Sequence, residues 1–197
     1  MKSLAVILLL GVRLVSAGQA NDSGLVWPSP PERTRIQHVQ TISSLESLQP
    51  KQGFFAKIFG LFTGGEQTPR WLVQPVGIAV SAAGQIVVAD PGANCIHIIR
   101  PAEKEYDYIA ETKFGKFLSP VGVAFNDEGV LYVSDSKRGD ITVFNRDLEA
   151  EYQIRDSLVR PTGLRFIAGK LFVVDTDRHR IVVFNDKGEF VSTFGHR

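Results

Sequence analysis

Cysteine is almost absent from this chain. One residue, Cys95, in 197 excludes an internal disulfide. It stands at the start of an apolar run and reads as a buried free thiol. Charge of one sign is also lacking. A formal net charge of +1 gives no global field for nucleic acid. Long apolar runs are missing too, since the stretch from Leu4 to Val12 is too short to span a bilayer as a helix. The four histidines, His38, His97, His179 and His196, include no pair at a ligand spacing such as His-x3-His. His97 lies inside a strand and reads as a hydrogen-bonded structural residue, and His179 as one beside Asp175. No Gly-x-Ser-x-Gly and no phosphate loop occur, so no catalytic residue is nominated. The acidic clusters Asp127-Glu128 and Asp175-Thr176-Asp177 sit on turns, at a spacing that fits no calcium loop, so no metal ligand is nominated either.

What the chain has is a repeat. Residues 160–195 hold four short apolar runs separated by Gly, Asp and Asn, the pattern of a four-stranded antiparallel meander. Its anchors occur twice upstream. Pro-x-Gly opens each unit at Pro75/Gly77, Pro120/Gly122 and Pro161/Gly163, with spacings of 45 (75 to 120) and 41 (120 to 161). An Asp closes each second strand at Asp90, Asp135 and Asp175, and the third strands are expected from Ile96, Ile141 and Ile181. Self-similarity at this period with four strands per unit predicts an all-β chain, a β-propeller of four-stranded antiparallel blades. The units run over about 74–116, 119–157 and 160–195. Pro fixes φ on the loop leading into the innermost strand, where no ladder donor is needed. Gly77, Gly122 and Gly163 fall where blades converge and a side chain would crowd the neighbour. The three aspartates are expected to accept hydrogen bonds from the tight loop that follows each of them.

Pro161-Thr162-Gly163-Leu164, Leu171-Phe172-Val173-Val174-Asp175-Thr176, Arg178-His179-Arg180-Ile181-Val182-Val183-Phe184 and Gly188-Glu189-Phe190 resemble the NHL repeat. The other two units resemble it more loosely, with Asn94-Cys95-Ile96-His97 and Gly139-Asp140-Ile141-Thr142 standing where the third has His179-Arg180-Ile181-Val182. The likeness covers about residues 71–195 and implies a six-bladed ring. It is specific for fold and weak for function, because propellers host unrelated activities. Some NHL proteins bind RNA through a basic face, but the near-neutral balance and the signs of export argue against nucleic acid here. Six-bladed relatives also include lyases and lactonases with a metal in the central channel. The resemblance therefore leaves open an enzyme using calcium or zinc.

The N-terminus reads as an export signal over residues 1–20. Lys2 starts it, an apolar run follows, and Val15-Ser16-Ala17 precedes a cut at Gly18, with Ala20 as an alternative end. Residues 21–34 form a Pro-rich linker. A strand over 35–42 is expected to close the ring as the outer strand of the last blade, within a 35–73 segment. That segment also carries a short helical insertion, with Phe54, Phe55, Ile58, Phe59 and Phe62 on one face and Gly64-Gly65 at its end. This helix either covers an edge of the propeller or makes a peripheral membrane or partner contact. Three units fall short of the four to eight blades of closed propellers. The ring is thus expected to be incomplete, either because the chain is truncated or because two copies form one ring as a homodimer.

Strand order places the loops between second and third strands, and those leading from blade to blade, at one end of the array. Gln74, Asn94, Lys116, Lys137, Arg138, Arg160, Arg178 and His179 stand there. The expected function is an exported, periplasmic or secreted binding or scaffold module, membrane-associated if the aromatic helix inserts. It meets a protein or another surface ligand through this basic loop end. Gln74, Ser119 and Arg160, which lead into the channel, do not form a metal-ligand set.

Overall fold

The computed structural model describes residues 25–29, 31–37, 49–50 and 72–195, and falls into two units, residues 1–43 and 44–197. In the first, β1 (Val26–Trp27) pairs antiparallel with β2 (Ile36–Gln37) in a two-stranded hairpin. The expected strand over 35–42 is thus described only at Ile36–Gln37, paired with part of the stretch read as linker. The aromatic helix with Phe54, Phe55, Ile58, Phe59 and Phe62 lies outside the described residues, as does the signal. Among the described residues no helix is long and apolar enough to cross a membrane.

The second unit is built of blades. Blade 1 holds β4 (Gly77–Val80), β5 (Ile86–Asp90), β6 (Cys95–Arg100) and β7 (Glu105–Ile109) in antiparallel order. A short strand, β3 (Gln49–Pro50), lies parallel to β7 at the outer edge, which no sequence pattern announced. A small hairpin, β8 (Glu111–Thr112) and β9 (Gly115–Lys116), leads onward. Blade 2 is β10 (Pro120–Phe125), β11 (Leu131–Asp135), β12 (Asp140–Phe144) and β13 (Ala150–Ile154). Blade 3 is β14 (Pro161–Ile167), β15 (Lys170–Asp175), β16 (Arg180–Asn185) and β17 (Phe190–Phe194). Each second strand ends at its anchor aspartate, as the repeat predicts. Each third strand begins one residue before the expected isoleucine, at Cys95, Asp140 and Arg180, because that residue already pairs with the aspartate.

The continuous apolar runs are explained by burial on both faces between blades. Between blades 1 and 2, Val87, Ala89, Ile96 and Ile98 pack on Val123, Leu131, Val133 and Phe144. Between blades 2 and 3, Tyr132, Ile141, Val143 and Ile154 pack on Leu171, Val173, Val182 and Phe184. The rings of Tyr132 and Phe166 stack at 5.7 Å across this seam. Each fully buried aliphatic side chain here contributes roughly 1.5–3 kcal/mol. The innermost strands lie side by side, β10 between β4 and β14.

The ring is open. On blade 3 the face turned away from blade 2 leaves Ile167, Val174 and Phe194 exposed, and on blade 1 Ile78 and Val80 are exposed. At the end opposite the anchor aspartates, Asn126, Asn145 and Asn185 organise the hairpins. Each Oδ1 accepts the N–H groups two and four residues on, at 2.8–3.0 Å.

Candidate functional site

The anchor aspartates are fully buried and do more than the sequence suggests. Asp135 accepts Leu118 N–H (2.7 Å) and Ser119 N–H (3.0 Å) from the loop before β10. It also accepts Lys137 N–H (3.1 Å) and Arg138 N–H (3.0 Å) from the loop after β11. Asp90 repeats this with Val73, Gln74 and Ala93. The expected bonds to the following loop therefore form in blades 1 and 2, and the same carboxylate also holds the preceding loop. In blade 3 Asp175 holds Val159 N–H and Arg160 N–H. There the first residue of β16 supplies the Arg180 guanidinium, 3.1 Å away, in place of backbone donors from the loop. The two loop sets are thus tied together at one end by buried carboxylates.

That end carries the residues nominated from sequence. Gln74, Asn94, Lys137, Arg160, Arg178 and His179 are all exposed on it. Asn94 and His179 take the left-handed conformation at φ 52° and 51° in equivalent loops, which asparagine and histidine tolerate better than most residues. Arg160 pairs with Asp177 at 3.3 Å, and Arg178 donates to Ser157 O. Arg138 differs from this group. It is drawn inward, 10% exposed, against Asp140, which is 2% exposed. Asp140 and Arg155 were not nominated from sequence. The signal available was an acidic residue at the first position of a strand whose equivalents are Cys95 and Arg180. Burial pushes the Asp140 carboxyl up, against the pull of Arg138 and Arg155. Arg138, Gly139, Asp140, Arg155, Leu158 and Val159 line a pocket of about 520 Å³.

A second cluster, in blade 1, resembles catalytic machinery and is not arranged as such. Cys95, His97 and Asp90 are fully buried and in contact. Yet Cys95 Sγ (3.5 Å) and Asp90 Oδ2 (3.3 Å) both face His97 Nε2, while Nδ1 faces the Tyr106 hydroxyl at 2.9 Å. A nucleophile relay needs thiol and carboxylate on opposite ring nitrogens. Burial pushes the Cys95 thiol up to about 12, so it stays protonated. Both residues are structural, as their positions in strands predict. Among the described residues no three His, Cys, Asp or Glu side chains are grouped to hold a metal ion.

This cluster makes stability depend on pH. Burial holds His97 below its ordinary 6.5, although Asp90 pulls the other way. The unfolded chain therefore takes up this proton before the fold does. Stability complete above pH 6.5 is lost as pH falls from there toward the folded value, by up to about 1.4 kcal/mol per pH unit. Burial would raise Asp90, but bonds from Gln74, Val73, Ala93 and His97 outweigh it and hold the carboxyl below 3.8. Its contribution is complete above 3.8 and is lost only on further acidification. Urea midpoints should fall in two stages, and His97→Gln should remove the first. A midpoint flat between pH 7 and pH 5 in the native protein would count against this assignment.

The NHL repeat model matches residues 72–99 and 117–144. Protein brain tumor of Drosophila melanogaster is 30% identical over 90 residues, 41% of this chain and 9% of that protein. Among solved structures, a virginiamycin B lyase from Staphylococcus aureus with quinupristin superposes on 67% of this chain and 43% of its own, with a TM-score of 0.54 at 12% identity. A nidogen/laminin complex does so over 63% of this chain and 48% of its own, with a TM-score of 0.54 at 17% identity. The chain thus spans less than half the length of each of these three, and at these identities the solved structures bear on fold alone. Blade 3 has the same strand order and the same Pro-x-Gly and Asp anchors as the two matched units. The chain carries NHL repeats, built as blades of an unclosed β-propeller.

Proposed function

We propose that this chain is an exported binding module whose loop end engages an acidic surface of a protein partner. The supporting observation is the division of charge at that end. Its aspartates Asp90, Asp135 and Asp175 are turned inward and consumed by loop N–H groups, while Lys137, Arg160 and Arg178 stand exposed on the loops so fixed. Rigid loops cost little to order on binding, and the exposed Lys116, Lys137, Arg160 and Arg178 outnumber the exposed Asp156 and Asp177, a basic balance that steers an acidic partner. The triple variant Lys137→Ser, Arg160→Ser, Arg178→Ser should bind an oligoglutamate peptide at least about tenfold more weakly than the parent, and binding to the parent should weaken with salt. Equal, salt-insensitive binding by both proteins would remove this reading.

Two finer readings belong with it. Export rests on residues 1–20, and secretion followed by N-terminal sequencing should find Gly18 at the start. An uncut N-terminus in the cytosol would contradict it. The open ring is completed by further blades, either from a longer chain or from a second copy of this one. Light scattering on the present chain separates these, since a dimer supports the second copy and a monomer the longer chain. Stoichiometric calcium or zinc in the purified protein would favour the lyase- or lactonase-like enzyme instead.

A further inference from the structure

Two residues that line the pocket beside blade 2 each carry a buried polar atom without a hydrogen-bond partner. Asp140 Oδ2 gathers every donor the carboxylate has: Arg138 Nε–H (3.2 Å), Gln153 Nε2–H (3.2 Å) and the charge of Arg155 Nε (3.5 Å). Oδ1 is buried without a hydrogen-bond partner. Arg138 Nη2 lies 3.0 Å from Oδ2 and pairs with it by charge, yet it too is buried without a hydrogen-bond partner. A vacant acceptor and a vacant donor therefore sit on facing carboxylate and guanidinium groups, each belonging to a side chain at least nine-tenths buried. Buried polar groups in native proteins are rarely left so. The arrangement is confined to this seam. The equivalent position is neutral Cys95 in blade 1, and in blade 3 it is Arg180, already bonded to Asp175.

We propose that this pocket binds a neutral carboxamide, the side chain of an asparagine or glutamine on a protein partner. The inference rests on the protein-binding reading of the loop end. The carboxamide N–H donates to Asp140 Oδ1 and its C=O accepts from Arg138 Nη2, so one planar group satisfies both atoms. A carboxylate ligand brings no donor for Asp140 Oδ1, and an ammonium brings no acceptor for Arg138 Nη2, so neither meets both atoms. Leu158 and Val159 offer apolar wall to the methylenes of such a side chain. Arg155, 62% exposed and held by Gln153 Oε1, is the wall that swings to admit it.

The test is a titration of the full chain with N-acetyl-asparagine methylamide. It is followed by the ¹H–¹⁵N signals of Arg138 Nε and of the Gly139, Asp140 and Val159 amides. Saturating shifts are expected with this probe. Sodium acetate, methylammonium and methyl glucoside should give none. Leu158→Trp, which enlarges an apolar wall of the pocket, should weaken the probe at least about tenfold, and so should Asp140→Asn, which replaces the vacant acceptor with a donor. No saturable shift, shifts unchanged by Leu158→Trp, or equal response to acetate or the glucoside would each overturn the proposal. Loss of the carboxamide response with oligoglutamate binding intact would sink this pocket and leave the loop-end reading standing. Loss of oligoglutamate binding with the carboxamide response intact would do the reverse.

Discussion

Asp135→Ala should be the most damaging single change away from the apolar core, costing about 3–5 kcal/mol. Four backbone N–H groups, from Leu118, Ser119, Lys137 and Arg138, end on this one fully buried carboxylate. Alanine leaves all four without their acceptor. Each stranded donor costs about 1–3 kcal/mol where water cannot reach it, and the losses overlap because the loops relax together. Set against a total stability of about 5–15 kcal/mol, the loss takes much of what holds the domain together. Asp135→Asn separates the hydrogen bonds from the charge. Its one carbonyl oxygen can keep the three bonds made by Oδ1, and its NH₂ then faces the Leu118 N–H. It should cost less than alanine while still costing more than about 1 kcal/mol. Urea unfolding of both variants checks the order. If alanine and asparagine are both within about 0.5 kcal/mol of the parent, the carboxylate is not the clamp described here.

This clamp shows where sequence reading succeeds and where it stops. The period and the anchors Pro-x-Gly and Asp could be read directly, because each serves a backbone requirement that recurs in every blade. The strand ends at Asp90, Asp135 and Asp175 follow from them. The second half of each clamp could not be read, because Asp135 lies 17 residues from Leu118 and only the fold brings the loop before β10 under it. The asparagines at the opposite hairpins were legible in principle, since Asn145 and Asn185 stand in matching positions. The strand Gln49–Pro50 was not, because two residues carry no periodicity and their partner is set by the tertiary edge of β7. At the loop end the exposed cations were found by counting loops. Asp140 and Arg155 were missed because a charge on a loop is ordinarily solvated. Asp140 is surrounded by Arg138, Gln153 and Arg155, which come together only once the strands of blade 2 are paired.

Gly122→Ala should force apart the inner strands of blades 2 and 3. A Cβ at Gly122 would lie 2.0 Å from Thr162 O and 2.8 Å from Ser134 Oγ. A backbone carbonyl cannot yield as a flexible side chain does. Ser134 Oγ moreover already accepts Gly122 N–H at 2.9 Å and donates to Thr162 O at 2.6 Å. One methyl group thus strains the strand contact and breaks the bridge across the seam, for about 3 kcal/mol or more once overpacking and the lost hydrogen bonds are combined. Gly77, whose Cβ would lie 2.2 Å from Val121 O, should behave alike. Gly163 is the third member of the series and has no such neighbour, since its Cβ would meet only Val174, at 3.5 Å. Gly163→Ala should therefore leave the stability of the isolated three-blade array within about 0.5 kcal/mol of the parent. In an assembly whose ring is completed by a further blade, the same substitution should cost as much as Gly122→Ala, because the carbonyl of that blade would lie over Gly163 as Thr162 O lies over Gly122. Measuring both variants by urea unfolding, first in this chain and then in the completed assembly, reads the missing seam directly. A Gly163→Ala cost equal to that of Gly122→Ala in monomeric three-blade protein would show that Gly163 is constrained from within its own blade.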